Sequence, residues 1–142
     1  FDAMLNLFNS FGYFLDEQQN VAVLEETVRC LKPGGRFLLD TRNPTIQILF
    51  APYRQLVTMP DGRQFYVSAS YDINSKRLHV KWESGAGSEE GYVARFRLYN
   101  LDELREMFAG AGLEVMRVYG NFAGEPFRGE HAQMIVLARK PK

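Results

Sequence analysis

The stretch Leu31-Lys32-Pro33-Gly34-Gly35-Arg36-Phe37-Leu38-Leu39-Asp40-Thr41-Arg42-Asn43 decides how this chain is read. It runs from the end of a helix through a sharp turn into a buried strand, then into a polar loop. Pro33 cannot continue a helix, and Gly34 can take the left-handed conformation that stops one. Phe37-Leu38-Leu39 is an apolar run between turn signals, as expected for a strand covered on both faces. Asp40, Arg42 and Asn43 emerge at its carboxyl end, where an open parallel sheet binds its ligand. Upstream, Phe1 to Phe8 reads as an apolar central strand and Asn9 to Phe14 as a loop. Asp16 is the candidate N-cap of a helix whose apolar positions are Val21, Leu24, Val28 and Leu31. The segment up to Asn43 therefore predicts one β-α-β unit with a right-handed crossover.

The chain has 142 residues, enough for one domain or a large piece of one. Its 17 basic and 17 acidic side chains cancel, so bulk charge gives no support for a nucleic-acid partner. The sole cysteine, Cys30, excludes an internal disulfide and fits a reducing cytosol, so a cytoplasmic location is expected. No apolar run approaches the roughly 18 residues of a membrane span. The sequence opens with Phe1-Asp2, already inside a strand and without an initiator Met, and reads as a fragment lacking its natural N-terminal part.

The middle of the chain changes character. Pro44 opens a short helix that includes Ile46, Leu49 and Phe50 and stops at Pro52. Gln55 to Met59 is strand-like, and Pro60-Asp61-Gly62 is a turn. Phe65, Val67, Ala69 and Tyr71 alternate with polar neighbours, as do Leu78, Val80 and Trp82, and then Tyr92, Ala94, Phe96 and Leu98. Three or four antiparallel strands with one wet face follow from this pattern, inserted into an α/β chain. Gly85 to Gly91 reads as a flexible acidic loop between two of them. The α/β pattern resumes at Leu101 to Phe108, with Asn100 and Glu103 forming a capping box and Gly110-Ala111-Gly112 ending the helix. Leu113 to Tyr119 and Gln133 to Ala138 are the last strands. The expected organisation is a core segment 1–52, an inserted antiparallel sheet 53–99 and a return to the core over 100–142.

Neither Gly85-Ala86-Gly87 nor Gly110-Ala111-Gly112 opens a helix after a strand, so neither is a dinucleotide loop. His79 and His131 lack carboxylate or cysteine neighbours at ligand spacing, and no metal site is expected. Cys30, embedded in a helix, is not expected to be a catalytic thiol. The informative polar groups lie at strand ends: Asn9 and Ser10 after the first, Asp40, Arg42 and Asn43 after the second. If those strands are adjacent and parallel, both sets meet at one rim. Arg42 offers a planar fork suited to a carboxylate, or else an exposed arginine or an internal salt bridge with Asp40 or another acid. Asn9 and Ser10 either line that rim or cap the following helix.

On these residues the chain resembles the C-terminal half of a class I S-adenosylmethionine-dependent methyltransferase. Leu7-Phe8-Asn9-Ser10-Phe11-Gly12-Tyr13-Phe14 and Leu31 to Asp40 are similar to the fourth and fifth strands and the intervening helix of that Rossmann-like fold. The run Leu104 to Val118, with Phe108-Ala109-Gly110-Ala111-Gly112-Leu113-Glu114-Val115 inside it, is similar to its last helix and sixth strand. The inserted sheet resembles the insertions of small-molecule N-methyltransferases, of the sugar-amine and the glycine/sarcosine kind. Asp40-Thr41-Arg42-Asn43, Arg95-Phe96-Arg97-Leu98 and Gly120-Asn121-Phe122 bring it nearer the second. The resemblance implies a methyl transfer from S-adenosylmethionine to a small molecule, most simply an amine. It implies that Leu7, Phe8, Asn9, Ser10 and Tyr13 border the cofactor. Arg42, Asn43 and Tyr99 would border the substrate, with Arg42 on its carboxylate. It also implies that the glycine-rich cofactor loop and the ribose-binding acid lie outside this chain, which would by itself bind cofactor weakly. The partners implied are a small-molecule substrate and a second copy of the chain, paired through the exposed first strand or the inserted sheet. The rival reading is a fold-only module that acts through that sheet. A nicotinamide-dependent oxidoreductase shares the sheet but has no residues here for hydride chemistry.

Overall fold

The computed structural model describes residues 1–85 and 91–142. In chain order the elements are β1 (Ala3–Asn6), α1 (Glu17–Cys30), β2 (Arg36–Arg42), α2 (Pro44–Phe50), β3 (Tyr53–Thr58), β4 (Gln64–Asp72), β5 (Arg77–Ser84), β6 (Gly91–Arg97), α3 (Leu101–Ala111), β7 (Glu114–Tyr119) and β8 (Gln133–Arg139). They form two four-stranded sheets, ordered β1-β2-β8-β7 and β3-β4-β5-β6. In the first, β1 runs parallel to β2, with Ala3 opposite Arg36 and Asn6 opposite Leu39. β8 is antiparallel to both β2 and β7. The second is an antiparallel meander, the inserted sheet that the alternating pattern predicts.

The Lys32 to Gly35 turn has Pro33 at its first corner and Gly34 at φ +79°, closed by the Gly35 N–H donating to the Lys32 carbonyl at 2.8 Å. That is the chemistry of a type II turn. Gly34 is therefore a turn residue rather than a helix stop, since α1 ends at an extended Leu31. The strand that follows buries Phe37 and Leu39 against Leu24, Leu104, Phe108 and Val136, so α1, α3 and the first sheet share one core. The inserted sheet builds a second core from Val67, Ala69, Leu78, Val80, Ala94, Phe96 and Leu98, all on the face that the sequence marks as apolar.

Several expectations need correction. The first strand is shorter than Phe1–Phe8 because Phe8 and Asn9 take left-handed φ values of 55° and 60°, which end any strand. It lies at the edge of its sheet, not the centre: among the described residues it pairs with β2 alone. Val21 and Val28 are only half-buried, while Asn20 and Thr27 occupy the core-facing stripe beside Leu24. Asn20 can sit there because it is satisfied locally. Its Oδ1 accepts from the Phe14 N–H and its Nδ2 donates to the Phe14 carbonyl, at 3.2 and 3.1 Å. Cys30 lies half-buried in the last turn of α1. The helix α3 runs through Gly110, and only Gly112, at φ +88°, is the left-handed cap. Gly87 and most of the expected acidic loop lie outside the described residues.

Candidate active site

The carboxyl ends of β1 and β2 meet at one rim of the first sheet. There the chain leaves β1 through Leu7 and turns on Phe8 and Asn9, whose backbones are pinned to β2. The Phe8 N–H donates to Asp40 Oδ2 at 3.0 Å, and the Asn9 N–H donates to the Asp40 carbonyl at 3.1 Å. The buried Asn9 side chain returns the contact, its Oδ1 accepting from Thr41 Oγ1 at 3.1 Å and from the Arg42 N–H at 3.3 Å. Asp40 is buried as well. Its second oxygen accepts from Gln133 Nε2 at 2.7 Å, where β8 starts opposite Arg42. Both oxygens of this buried carboxylate are thus used, as a buried charge requires.

These residues line a cleft of about 380 Å³, bordered by Phe8, Asn9, Asp40, Thr41, Arg42, Gln47, Ala132 and Gln133. The Arg42 guanidinium makes one long hydrogen bond, 3.4 Å to Gln47 Oε1, and has no carboxylate partner among the described residues. The internal salt bridge with Asp40 that the sequence leaves open is not made, because the Asp40 oxygens already accept from Phe8 and Gln133. Tyr13 lies on the same side. Its ring stacks on Phe96 of the inserted sheet at 5.1 Å between centroids. Burial, then the nearby Tyr92 phenol, raises its pKa, while Arg42 is close enough to oppose that rise. Ser10 is exposed at the rim, its hydroxyl donating to the Leu7 carbonyl at 2.7 Å.

The rim thus gathers Leu7, Phe8, Asn9, Ser10, Arg42 and, from the side, Tyr13. Two residues expected at the substrate are placed elsewhere. Asn43 is buried as the N-cap of α2, where its Oδ1 accepts from Thr45 N and its Nδ2 donates to the carbonyls of Gly129 and His131. Its amide has no hydrogen left for a ligand. Tyr99 is buried against Phe11, with its hydroxyl donating to Glu17 Oε2 at 2.5 Å. Burial, then the Glu17 carboxylate, pushes its phenol well above the usual tyrosine range. It is a core residue and does not line the cleft. Thr41, Gln47 and Gln133 were not singled out from the sequence. Thr41 and Gln47 flank Arg42 closely enough to be suspected, but Gln133 reaches Asp40 only through β2–β8 pairing, which no local pattern announces.

Polar groups thus converge at the carboxyl ends of two adjacent parallel strands, the rim where open α/β sheets bind ligands. The comparisons with known proteins show which fold this is. No family model matches the chain. In sequence it is 29% identical over 143 residues to the cypemycin N-terminal methyltransferase of a Streptomyces species, covering 99% of this chain and 58% of that protein. In structure it superposes on the CcbJ methyltransferase of Streptomyces caelestis with a TM-score of 0.81 at 20% identity, covering 98% of this chain and 60% of that one. An S-adenosylmethionine-dependent methyltransferase of Clostridium acetobutylicum also matches at 0.81, with 12% identity, over 100% of this chain and 59% of that one. An amino pentose methyltransferase of Micromonospora echinaspora, solved with S-adenosylmethionine bound, matches at 0.67 with 22% identity, over 99% and 58%. The chain has the fold of the S-adenosylmethionine-dependent methyltransferases and spans about three-fifths of their length, consistent with a C-terminal half.

Proposed function

We propose that the protein containing this chain transfers a methyl group from S-adenosylmethionine to an amine of a small molecule, and that this chain supplies the acceptor side of the site. The observation that carries the reading is the rim itself, where Asn9 and Arg42 meet across β1 and β2 with the guanidinium free of any acid among the described residues. The sequence relative is named as an N-terminal methyltransferase, and one fold neighbour as an amino pentose methyltransferase, which supports an amine acceptor.

The residues present fit the amino-acid end of that cofactor. The cleft lies within the usual size range of small-molecule sites, and it is lined by the polar side chains of Asn9, Thr41, Arg42, Gln47 and Gln133. Leu7, Phe8, Asn9 and Ser10 would border it, with Tyr13 at the flank. When bound, the cofactor supplies an electrophilic methyl on a positively charged sulfur, open to in-line displacement. An acceptor amine would take up that methyl and release one proton to water. No side chain has to take that proton if the amine arrives neutral, so the work of this chain is orientation and exclusion of water. Arg42 would hold an anionic group of the acceptor through its two-pronged fork.

The test is a methyl-transfer assay on the full-length protein with a panel of amino acids, aminosugars and peptide amines. Arg42→Ala should raise KM for a carboxylate-bearing acceptor roughly tenfold to a hundredfold, the worth of one charge-assisted contact. Affinity for S-adenosylmethionine should stay nearly constant. An unchanged acceptor profile would remove Arg42 from the site, and no transfer to any amine would overturn the reading.

A further inference from the structure

The loop from Phe11 to Leu15, which continues the rim, takes its shape from the inserted sheet. The Arg97 N–H of β6 donates to the Gly12 carbonyl at 2.8 Å. Gly12 sits at φ +92° so close to β6 that a Cβ there would lie 2.3 Å from the Arg97 carbonyl oxygen. Tyr13 lies flat on Phe96 of the same strand. The next two residues are held from β5. Arg77 Nη2 donates to the carbonyls of Phe14 and Leu15, at 2.9 and 3.0 Å. The side chain of Arg77 is 10% exposed, and its Nη1 has no partner among the described residues. Glu17, at the start of α1, is within 3.5 Å of both Arg77 and Arg97 and accepts from the Tyr99 hydroxyl.

Among the described residues, the hydrogen bonds of this buried guanidinium go to backbone carbonyls. What it achieves is to hold two consecutive carbonyls of one loop. Both bonds come from one terminal nitrogen, whose two N–H groups are fixed in the guanidinium plane; a lysine ammonium has donors enough for both carbonyls but not those fixed directions. We propose that Arg77 is a positioning residue: by gripping the Phe14 and Leu15 carbonyls it fixes the loop from Phe11 to Leu15, which presents Tyr13 at the flank of the rim. The inserted sheet thereby sets the geometry of a site carried by the other sheet. The consequence for cofactor binding rests on the methyl-transfer reading, whereas the hold on the loop does not.

The experiment is hydrogen–deuterium exchange with mass spectrometry on the full-length protein and its Arg77→Met and Arg77→Lys variants, with calorimetric titration of S-adenosylmethionine alongside. In Arg77→Met the peptide spanning residues 8–16 should exchange about tenfold faster or more, while the peptide over β8 is unchanged. Asn20 still clasps Phe14, so the effect stays local. Arg77→Lys should show a smaller rise confined to the same peptide, and it carries the test should the methionine variant fail to fold. The cofactor dissociation constant should rise in the same order, Met above Lys above wild type. Unchanged exchange over 8–16, or an equal rise in β8, would overturn the proposal. If the wild type binds no cofactor but the exchange pattern appears, the positioning role stands and the methyl-transfer reading falls.

Discussion

Two side-chain-bearing residues in succession, Phe8 and Asn9, adopt the left-handed backbone region. Asparagine tolerates this because its short amide can bond locally; phenylalanine has no such compensation. Such a pair persists only where the surroundings over-determine it. Here each of the two N–H groups is spent on Asp40, and the Asn9 amide is spent on Thr41 and Arg42. The left-handed turn thus delivers Asn9 Oδ1 to the backbone of Arg42, whose guanidinium borders the cleft. Asn9→Ala removes the acceptor and places an ill-suited residue at a positive φ, so it should cost about 2–3 kcal/mol in urea unfolding. Asn9→Gly restores the dihedral freedom but not the acceptor, and should fall between wild type and alanine. Equal stability of all three would mean that the bonds around Asn9 do not hold the turn.

Elements whose signals are local were legible in the sequence, and those that depend on distant partners were not. The N-terminus of α3 is the clearest local case. Asn100 Oδ1 accepts from the Glu103 N–H and Glu103 Oε2 accepts from the Asn100 N–H, both at 2.9 Å, as the Asn-x-x-Glu spacing predicts. The alternation over Gln64–Asp72 likewise fixes β4 and its buried face, because a period of two is written in the strand itself. By contrast, Asn20 and Thr27 on the core side of α1 carry no apolar signal. Tyr99 passes for a pocket aromatic until Glu17, far away in sequence, is seen to hold its hydroxyl. Both strand ends of the rim were readable, but not that Asn43 would be consumed as a cap while Gln133 joined through β8. The same helix start carries a pH prediction. Burial alone would raise the Glu103 pKa. Hydrogen bonds from Arg97 and Lys76, at 2.7 and 2.8 Å, and from the Asn100 N–H outweigh it and bring the value from 4.5 to about 2. A folded pKa below the unfolded one contributes stability above about pH 4.5, lost as pH falls toward about 2. Urea midpoints across that window should fall less steeply for Glu103→Gln, which keeps the cap but not the charge, while that variant is the less stable protein at neutral pH.

At the scale of the whole molecule, β1 is an edge strand of the first sheet among the described residues. Among the described residues the outer edge of β1 is unpaired, and Phe1 and Leu5 are 72% and 65% exposed there. Beside it Met4, Phe14, Ala22, Val23 and Cys30 help line an open apolar hollow of about 520 Å³ between β1 and α1. An unprotected edge next to an apolar surface is a template for pairing with another chain. Its flanking charges do little to prevent this: Asp2 is already engaged by Lys32 at 3.0 Å, and neither lies on the strand itself. We therefore expect the 142-residue chain to self-associate, with a sedimentation coefficient that rises from micromolar toward millimolar concentration. Leu5→Lys places a charge on the edge strand, the device by which natural sheets discourage pairing, and should return the chain to a monomer without changing its fold. The inserted sheet offers the competing surface, through the exposed Tyr92 and Val93 on β6. If Leu5→Lys leaves association intact and Tyr92→Lys abolishes it, the contact runs through β6; a monomer across the whole range would mean that neither edge pairs.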